Sequence, residues 1–155
     1  MKVTTKTGDQ GNTGIYDKRL EKDDALIDLL GHLDEVMAHF IYAQAHYPEA
    51  LQEFKTRVDE LILIASIVAG FKPESDFKEA TVAHLEEEIK KIAEQCSGFV
   101  YPFDDPYRAT LNVLRTVVRR LERVMVRAFK QNQDYPLIRI YTNRLSDYVF
   151  ILINK

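Results

Sequence analysis

The residues best suited to chemistry come first in the chain. Thr4-Thr5-Lys6-Thr7-Gly8-Asp9-Gln10-Gly11-Asn12-Thr13-Gly14 is a small, polar run in which glycines, threonines and one lysine alternate. Phosphate oxygens need that set of donors: backbone N–H groups, hydroxyls and a cation, with glycine letting the backbone come close. The run lacks the terminal Gly-Lys-Thr/Ser of a Walker loop. An ordinary polar terminus has the same composition, so the residues alone leave both readings open.

A second set lies between residues 111 and 128. At about 100° per residue, Leu111, Leu114, Val117, Val118, Leu121, Val124, Met125 and Ala128 fill one apolar arc. Arg115, Arg119 and Glu122 fall within about 60° at its edge. Arg120 borders the other edge, and Arg123 points away. Guanidinium groups four residues apart at a core boundary grip a polyanion or pair with carboxylates of a neighbouring helix. A solvated basic face supported by Glu122 is the plainer alternative.

Other polar groups carry weaker signals. His32, His39 and His46 share a helix face but stand about 10 Å apart along it, too far for one metal ion. Glu86, Glu87 and Glu88 before Lys90 and Lys91 read as a solvated face with four-residue ion pairs. Asn143, Arg144, Ser146 and Asp147 interrupt an otherwise apolar stretch, and buried polar groups need partners. No Cys–His pair, nucleophile elbow or zinc spacing supports hydrolysis.

These residues must be positioned by helices. Hydrophobic spacing is helical from about Lys22 to His46, with Leu26, Leu29, Leu30, Leu33, Met37, Phe40 and Ile41 on the core stripe. A second helix opens with Pro48 in its first turn, buries Leu51, Phe54, Val58, Leu61, Ile62 and Ala65, and fades before Gly70. Asp76 and Glu79 read as a capping box for a third helix carrying Val82, Leu85, Ile89, Ile92 and Ala93. Asp105-Pro106 caps a fourth helix reaching about Lys130, and Asp134-Tyr135-Pro136 restarts the chain into a fifth. No strand-like alternation of useful length is present. The expectation is a single all-α domain over 1–155: an up-down five-helix bundle over 21–155, preceded by the glycine-rich loop of 1–20.

Composition agrees. At 155 residues, 46% hydrophobic and 29% charged, the chain can bury a core and is not disordered. A net charge of −3 argues against a general nucleic-acid binder, so phosphate must be held by a local cluster of bases. The single cysteine, Cys96, suits a reducing compartment, and no apolar run approaches a membrane span. A cytoplasmic protein is expected.

Taken together, the motifs resemble those of the propanediol-utilisation type of ATP:cob(I)alamin adenosyltransferase, also called corrinoid adenosyltransferase. Thr5-Lys6-Thr7-Gly8-Asp9-Gln10-Gly11-Asn12-Thr13 is similar to that family's opening T-[KR]-T-G-D-x-G-x-[TS]. Lys22-Asp23-Asp24 and Gly31-His32-Leu33-Asp34-Glu35 resemble its K-D-D and G-x-x-D-E elements. Arg115 through Arg123 is similar to its R-x-x-x-R-R-x-E-R helix, and Asn143-Arg144-Leu145-Ser146-Asp147-Tyr148 to its closing N-R-L-S-D-Y. Phe99-Val100-Tyr101-Pro102 matches its F-x-x-P, although Phe103-Asp104 stands where the family has G-G. The family's D-E-L-N is here Asp34-Glu35-Val36-Met37.

The resemblance implies a ferritin-like bundle that assembles as a homotrimer with sites between subunits. It implies transfer of the 5′-deoxyadenosyl group of ATP to the cobalt of reduced cobalamin, with release of triphosphate. Thr5, Lys6, Thr7, Gly8, Thr13, Gly14 and Lys22 would cradle the phosphates. Arg119, Arg120, Glu122, Arg123 and Asn143 would complete the ATP site, with Mg²⁺ held mainly by the triphosphate. Asp34 and Arg115 would pair between subunits near the corrin, and Phe99 would crowd the lower axial face of cobalt. Asp34, Phe99, Arg115 and Arg119 are thus the expected catalytic set. A flavoprotein reductase or a cobalamin-dependent acceptor enzyme is the implied partner, with no role for nucleic acid or membrane. The alternative is a catalytically weak homologue that binds ATP or a corrinoid as a sensor or carrier.

Overall fold

The computed structural model describes residues 1, 3–96 and 98–155. Five helices dominate: α1 (Ala25–His46), α2 (Phe54–Val68), α3 (Glu79–Ala93), α4 (Pro106–Gln131) and α5 (Pro136–Asn154). Their packing runs α2–α1–α4–α5–α3 around the bundle, so α4 lies between α1 and α5. Among the described residues no helix is long and apolar enough to cross a membrane.

The predicted α4 stripe is buried throughout, from Leu111 to Ala128. Its start follows from local chemistry: Asp105 accepts a hydrogen bond from the Arg108 N–H at 3.0 Å, and Pro106 occupies the first turn, where a missing N–H costs nothing. Asp24 caps α1 in the same way, accepting from the Leu26 N–H at 2.8 Å. Two ion pairs fix the antiparallel register of α1 on α4, Asp28 with Arg127 and Glu35 with Arg120.

Several local expectations need correction. The glycine-rich start is not all loop, because β1 (Asn12–Ile15) and β2 (Lys18–Glu21) form a two-stranded antiparallel hairpin. The connection is only Tyr16-Asp17, with Tyr16 at φ 45°. Ile15 and Leu20 turn toward the core, but four-residue strands are too short to show alternation in sequence. Pro48 lies in a run of turns before α2 rather than in its first turn. The Asp76–Glu79 capping box does not form: Asp76 ends a 3₁₀ turn, Glu74–Asp76, and α3 starts after Lys78. Phe77 interrupts the helical path because its ring is buried against Tyr141, centroid to centroid 5.4 Å. Ile41 and Ile62, placed on core stripes by spacing, are exposed, as is Ala93.

The acidic face of α3 also differs from expectation. Glu87 does pair with Lys91 in solvent, at 2.9 Å. Glu88 instead turns inward to Arg57, a fully buried guanidinium on α2 that also meets Glu60 at 3.3 Å. Arg57 lies over the Tyr148 ring at 5.6 Å, and Glu60 accepts a hydrogen bond from the Tyr141 hydroxyl. Burial raises the Glu60 carboxyl and the Tyr141 hydroxyl above their usual ranges. One arginine therefore joins α2, α3 and α5. Arg57→Ala strands two carboxylates, and a loss of about 3–5 kcal/mol is expected in urea unfolding. A loss below about 1 kcal/mol would show that the cluster contributes little.

Candidate functional site

The amino-terminal cradle is built by hydrogen bonds among its own residues. Lys22 Nζ donates to the Gly8 carbonyl at 2.8 Å, and the Lys22 N–H to the Gly11 carbonyl at 2.8 Å. Thr5 and Thr7 hydroxyls meet at 3.0 Å. Gly8 is closely approached, since a Cβ would lie 3.2 Å from the Asn12 carbonyl oxygen and 3.4 Å from Lys22 Nζ, a fit that requires the neighbours to give by a few tenths of an ångström. Gly11 sits at φ 89°, a conformation that favours glycine. Thr13 and Gly14 continue into β1, opposite Leu20 and Arg19.

Arg19 is a member that sequence reasoning missed. Its guanidinium donates to the Thr7 carbonyl at 2.7 Å and to Asn12 Oδ1. The hairpin brings it there by pairing Gly14 with Arg19, a register invisible in composition. Lys6, Arg19 and Lys22 thus put three cations around one exposed loop of hydroxyls and backbone N–H groups.

The arginines of α4 divide between two faces. Arg119 pairs with Glu122 at 3.1 Å, and Arg123 Nη1 donates to the Arg119 carbonyl at 3.1 Å. With Val126 these residues line a surface depression of about 250 Å³. Arg120 faces α1, where Glu35 holds it. Thr142 Oγ1 meets Met125 Sδ at 3.4 Å, which puts Asn143, the next residue of α5, at the same height along the bundle. Arg144 and Asp147 are accounted for by ion pairs, Arg144 with Glu86 at 2.8 Å and with Asp147 at 3.9 Å. Among the described residues no hydrogen bond or ion pair joins the cradle to Arg119, Arg120 or Arg123.

A third region lies toward the other end of α4. Ala38, His39, Tyr42, Pro106, Ala109, Thr110 and Val113 line an open, mostly apolar groove of about 660 Å³ between α1 and α4. Asp34 is exposed on α1, and Arg115 hydrogen-bonds to Asn112 Oδ1 at 3.1 Å, so the two are not paired within one chain. Phe99 is 55% exposed beside Tyr101 and Phe150. His32 and His46 bond back to carbonyls of their own helix, which suits a structural role.

The loop after Phe99 contains a conformational anomaly. Asp104 adopts φ 61°, in the left-handed region. A residue with a Cβ pays a local penalty there that glycine does not. Asp104→Gly is expected to stabilise the chain by about 0.5–1 kcal/mol, raising Tm by a few degrees. A lower Tm in that variant would mean that the aspartate side chain itself holds the loop.

Comparison with known proteins places this geometry in context. The profile of the cobalamin adenosyltransferase family matches residues 3–155. A corrinoid adenosyltransferase of Bacillus subtilis (strain 168) is 30% identical over 161 residues, covering 97% of this chain and 83% of the relative. One from Citrobacter freundii is 29% identical over 96% of this chain and 91% of its own length. A variant PduO-type ATP:corrinoid adenosyltransferase from Lactobacillus reuteri, solved in complex with cobalamin and ATP, superposes with a TM-score of 0.88 at 28% identity. That match covers 99% of this chain and 89% of the other.

Proposed function

This chain belongs to the cobalamin adenosyltransferase family, and on that premise we propose that it transfers the 5′-deoxyadenosyl group of ATP to the cobalt of reduced cobalamin. The observation that carries the reading is the cradle of Thr5, Lys6, Thr7, Gly8, Thr13, Gly14 and Lys22, whose hydroxyls share one exposed loop with its two lysines and with Arg19, none of these three cations meeting a carboxylate in the hydrogen bonds described above. Such a surface takes a polyphosphate.

The cob(I)alamin electron pair forms the Co–C5′ bond while the C5′–O pair leaves with triphosphate. No proton changes hands at the reacting carbon, so no side-chain base is required. The protein's contribution is orientation and charge at the leaving group. Lys22, Arg119 and Arg123 oppose the charge that develops on triphosphate, and Glu122 holds Arg119 in place. Asn143 supplies an amide at the same height, and Arg120 is delivered from the α1 side by Glu35. Mg²⁺, a hard cation that prefers oxygen, would be held mainly by the triphosphate and would neutralise part of its charge. Among the described residues no cluster of three or more His, Cys, Asp or Glu offers it a protein cage.

The site is shared between copies of the chain, and a homotrimer fits that need. The hairpin turn packs near Gly70 and Asn132, at the carboxyl end of α4. Phe99 lies beyond its amino end, and 26 helical residues span about 39 Å. One nucleotide does not bridge the two ends within one copy. Asp34 pairs with Arg115 of a neighbour, and Phe99 crowds the lower face of cobalt so that no ligand binds there. A cytoplasmic setting with a flavoprotein reductase, or a cobalamin-dependent enzyme receiving the product, completes the proposal.

Asp104 in a left-handed conformation in the loop after Phe99 favours one second reading, a homologue that binds ATP or corrinoid as a sensor or carrier. Phosphorus NMR of a reaction with ATP, Mg²⁺ and cob(I)alamin separates the two. Triphosphate formed one-for-one with adenosylcobalamin is expected. ATP that raises Tm but stays intact would support the carrier instead.

A further inference from the structure

The aromatic loop is fastened to the last turns of α5. Asn154 is buried beneath it and uses both ends of its amide. Oδ1 accepts a hydrogen bond from the Val100 N–H at 2.7 Å, and Nδ2 donates to the Phe150 carbonyl of its own helix at 2.7 Å. The Phe150 ring lies 5.9 Å from that of Phe99, tilted by 30°. Tyr101 meets Phe99 edge-on at 4.8 Å. Before the loop, the Cys96 thiol donates to the Ile151 carbonyl at 3.4 Å.

These contacts are what define the ring's place. Phe99 is more than half exposed, so no surrounding core selects its rotamer, and Gly98 before it sits at φ 145°, a conformation that favours glycine. An amide is suited to the junction because one side must accept and the other donate. Neither a carboxylate nor an apolar residue does both. We propose that Asn154 and Phe150 are positioning residues for Phe99, holding its ring where it excludes the lower ligand of cobalt. The inference rests on the proposed role of Phe99 and assigns the helix end that enforces it.

The chain has no tryptophan, so Phe99→Trp supplies a single fluorescent reporter of ring mobility. In the ligand-free full chain, adding Asn154→Leu or Phe150→Leu is expected to lower its steady-state anisotropy. With the native Phe99 present, the same two substitutions are tested on cob(II)alamin plus ATP. The fraction lacking a lower ligand, read by EPR, is expected to fall roughly five- to tenfold. Turnover of pre-reduced cob(I)alamin should stay within about twofold, a split that general loss of structure would not produce. Phe150→Leu keeps an apolar side chain on α5 and serves if Asn154→Leu does not fold. Unchanged anisotropy and an unchanged ligand-free fraction in Phe150→Leu would overturn the proposal. If the wild-type protein forms no such cob(II)alamin, the role of Phe99 falls and the proposal with it. A lowered anisotropy would then show that the fastening itself exists.

Discussion

Arg119→Ala is expected to weaken ATP binding about 10- to 100-fold, the equivalent of roughly 1.5–3 kcal/mol for a lost charge-assisted hydrogen bond. The structure makes the change more than the loss of one cation. Arg119 is the partner of Glu122, and its removal leaves a carboxylate facing the depression where phosphate is to bind. Arg119→Ala with Glu122→Gln should therefore recover part of the affinity. Calorimetric titration of ATP into both variants reads the difference. Wild-type affinity in the single variant would place the triphosphate away from this face of α4.

Phe99→Ala should act on a different step. Without the ring, cob(II)alamin keeps its lower ligand and resists reduction by a mild reductant. Adenosylation from cob(II)alamin is expected to slow about 100-fold, near 2.7 kcal/mol in the barrier. Starting from cob(I)alamin, already reduced, the loss should be under about threefold. Equal losses from both starting states would remove Phe99 from this role and leave it a general packing residue.

Periodic residues were the most legible part of the chain. The α4 stripe is long and regular, so its burial and its Asp105-Pro106 start could be read directly. What depended on tertiary contact could not. Arg57 is of a residue type that is ordinarily solvated, and the approach of Glu60, Glu88 and Tyr148 lets it be buried on the core face of α2. Phe77 breaks the helix that a capping box would have begun at Asp76, because a core site against Tyr141 outweighs the cap. In the site, the residue types of the cradle and of the α4 face carried their own signal. Arg19 and Asn154 did not, since each acts through a partner far along the chain. In sequence the pointer to Asn154 is an asparagine closing the apolar run 149–153, and the structure buries it so that both halves of its amide need partners.

The most direct measurement is an anaerobic absorbance assay of the protein with ATP, Mg²⁺ and chemically reduced cob(I)alamin. Loss of the Co(I) band, with appearance of adenosylcobalamin and an equal amount of triphosphate, is the predicted result. A Co(I) band that persists while ATP is measurably bound would contradict an adenosyltransferase and leave a protein that only holds its ligands.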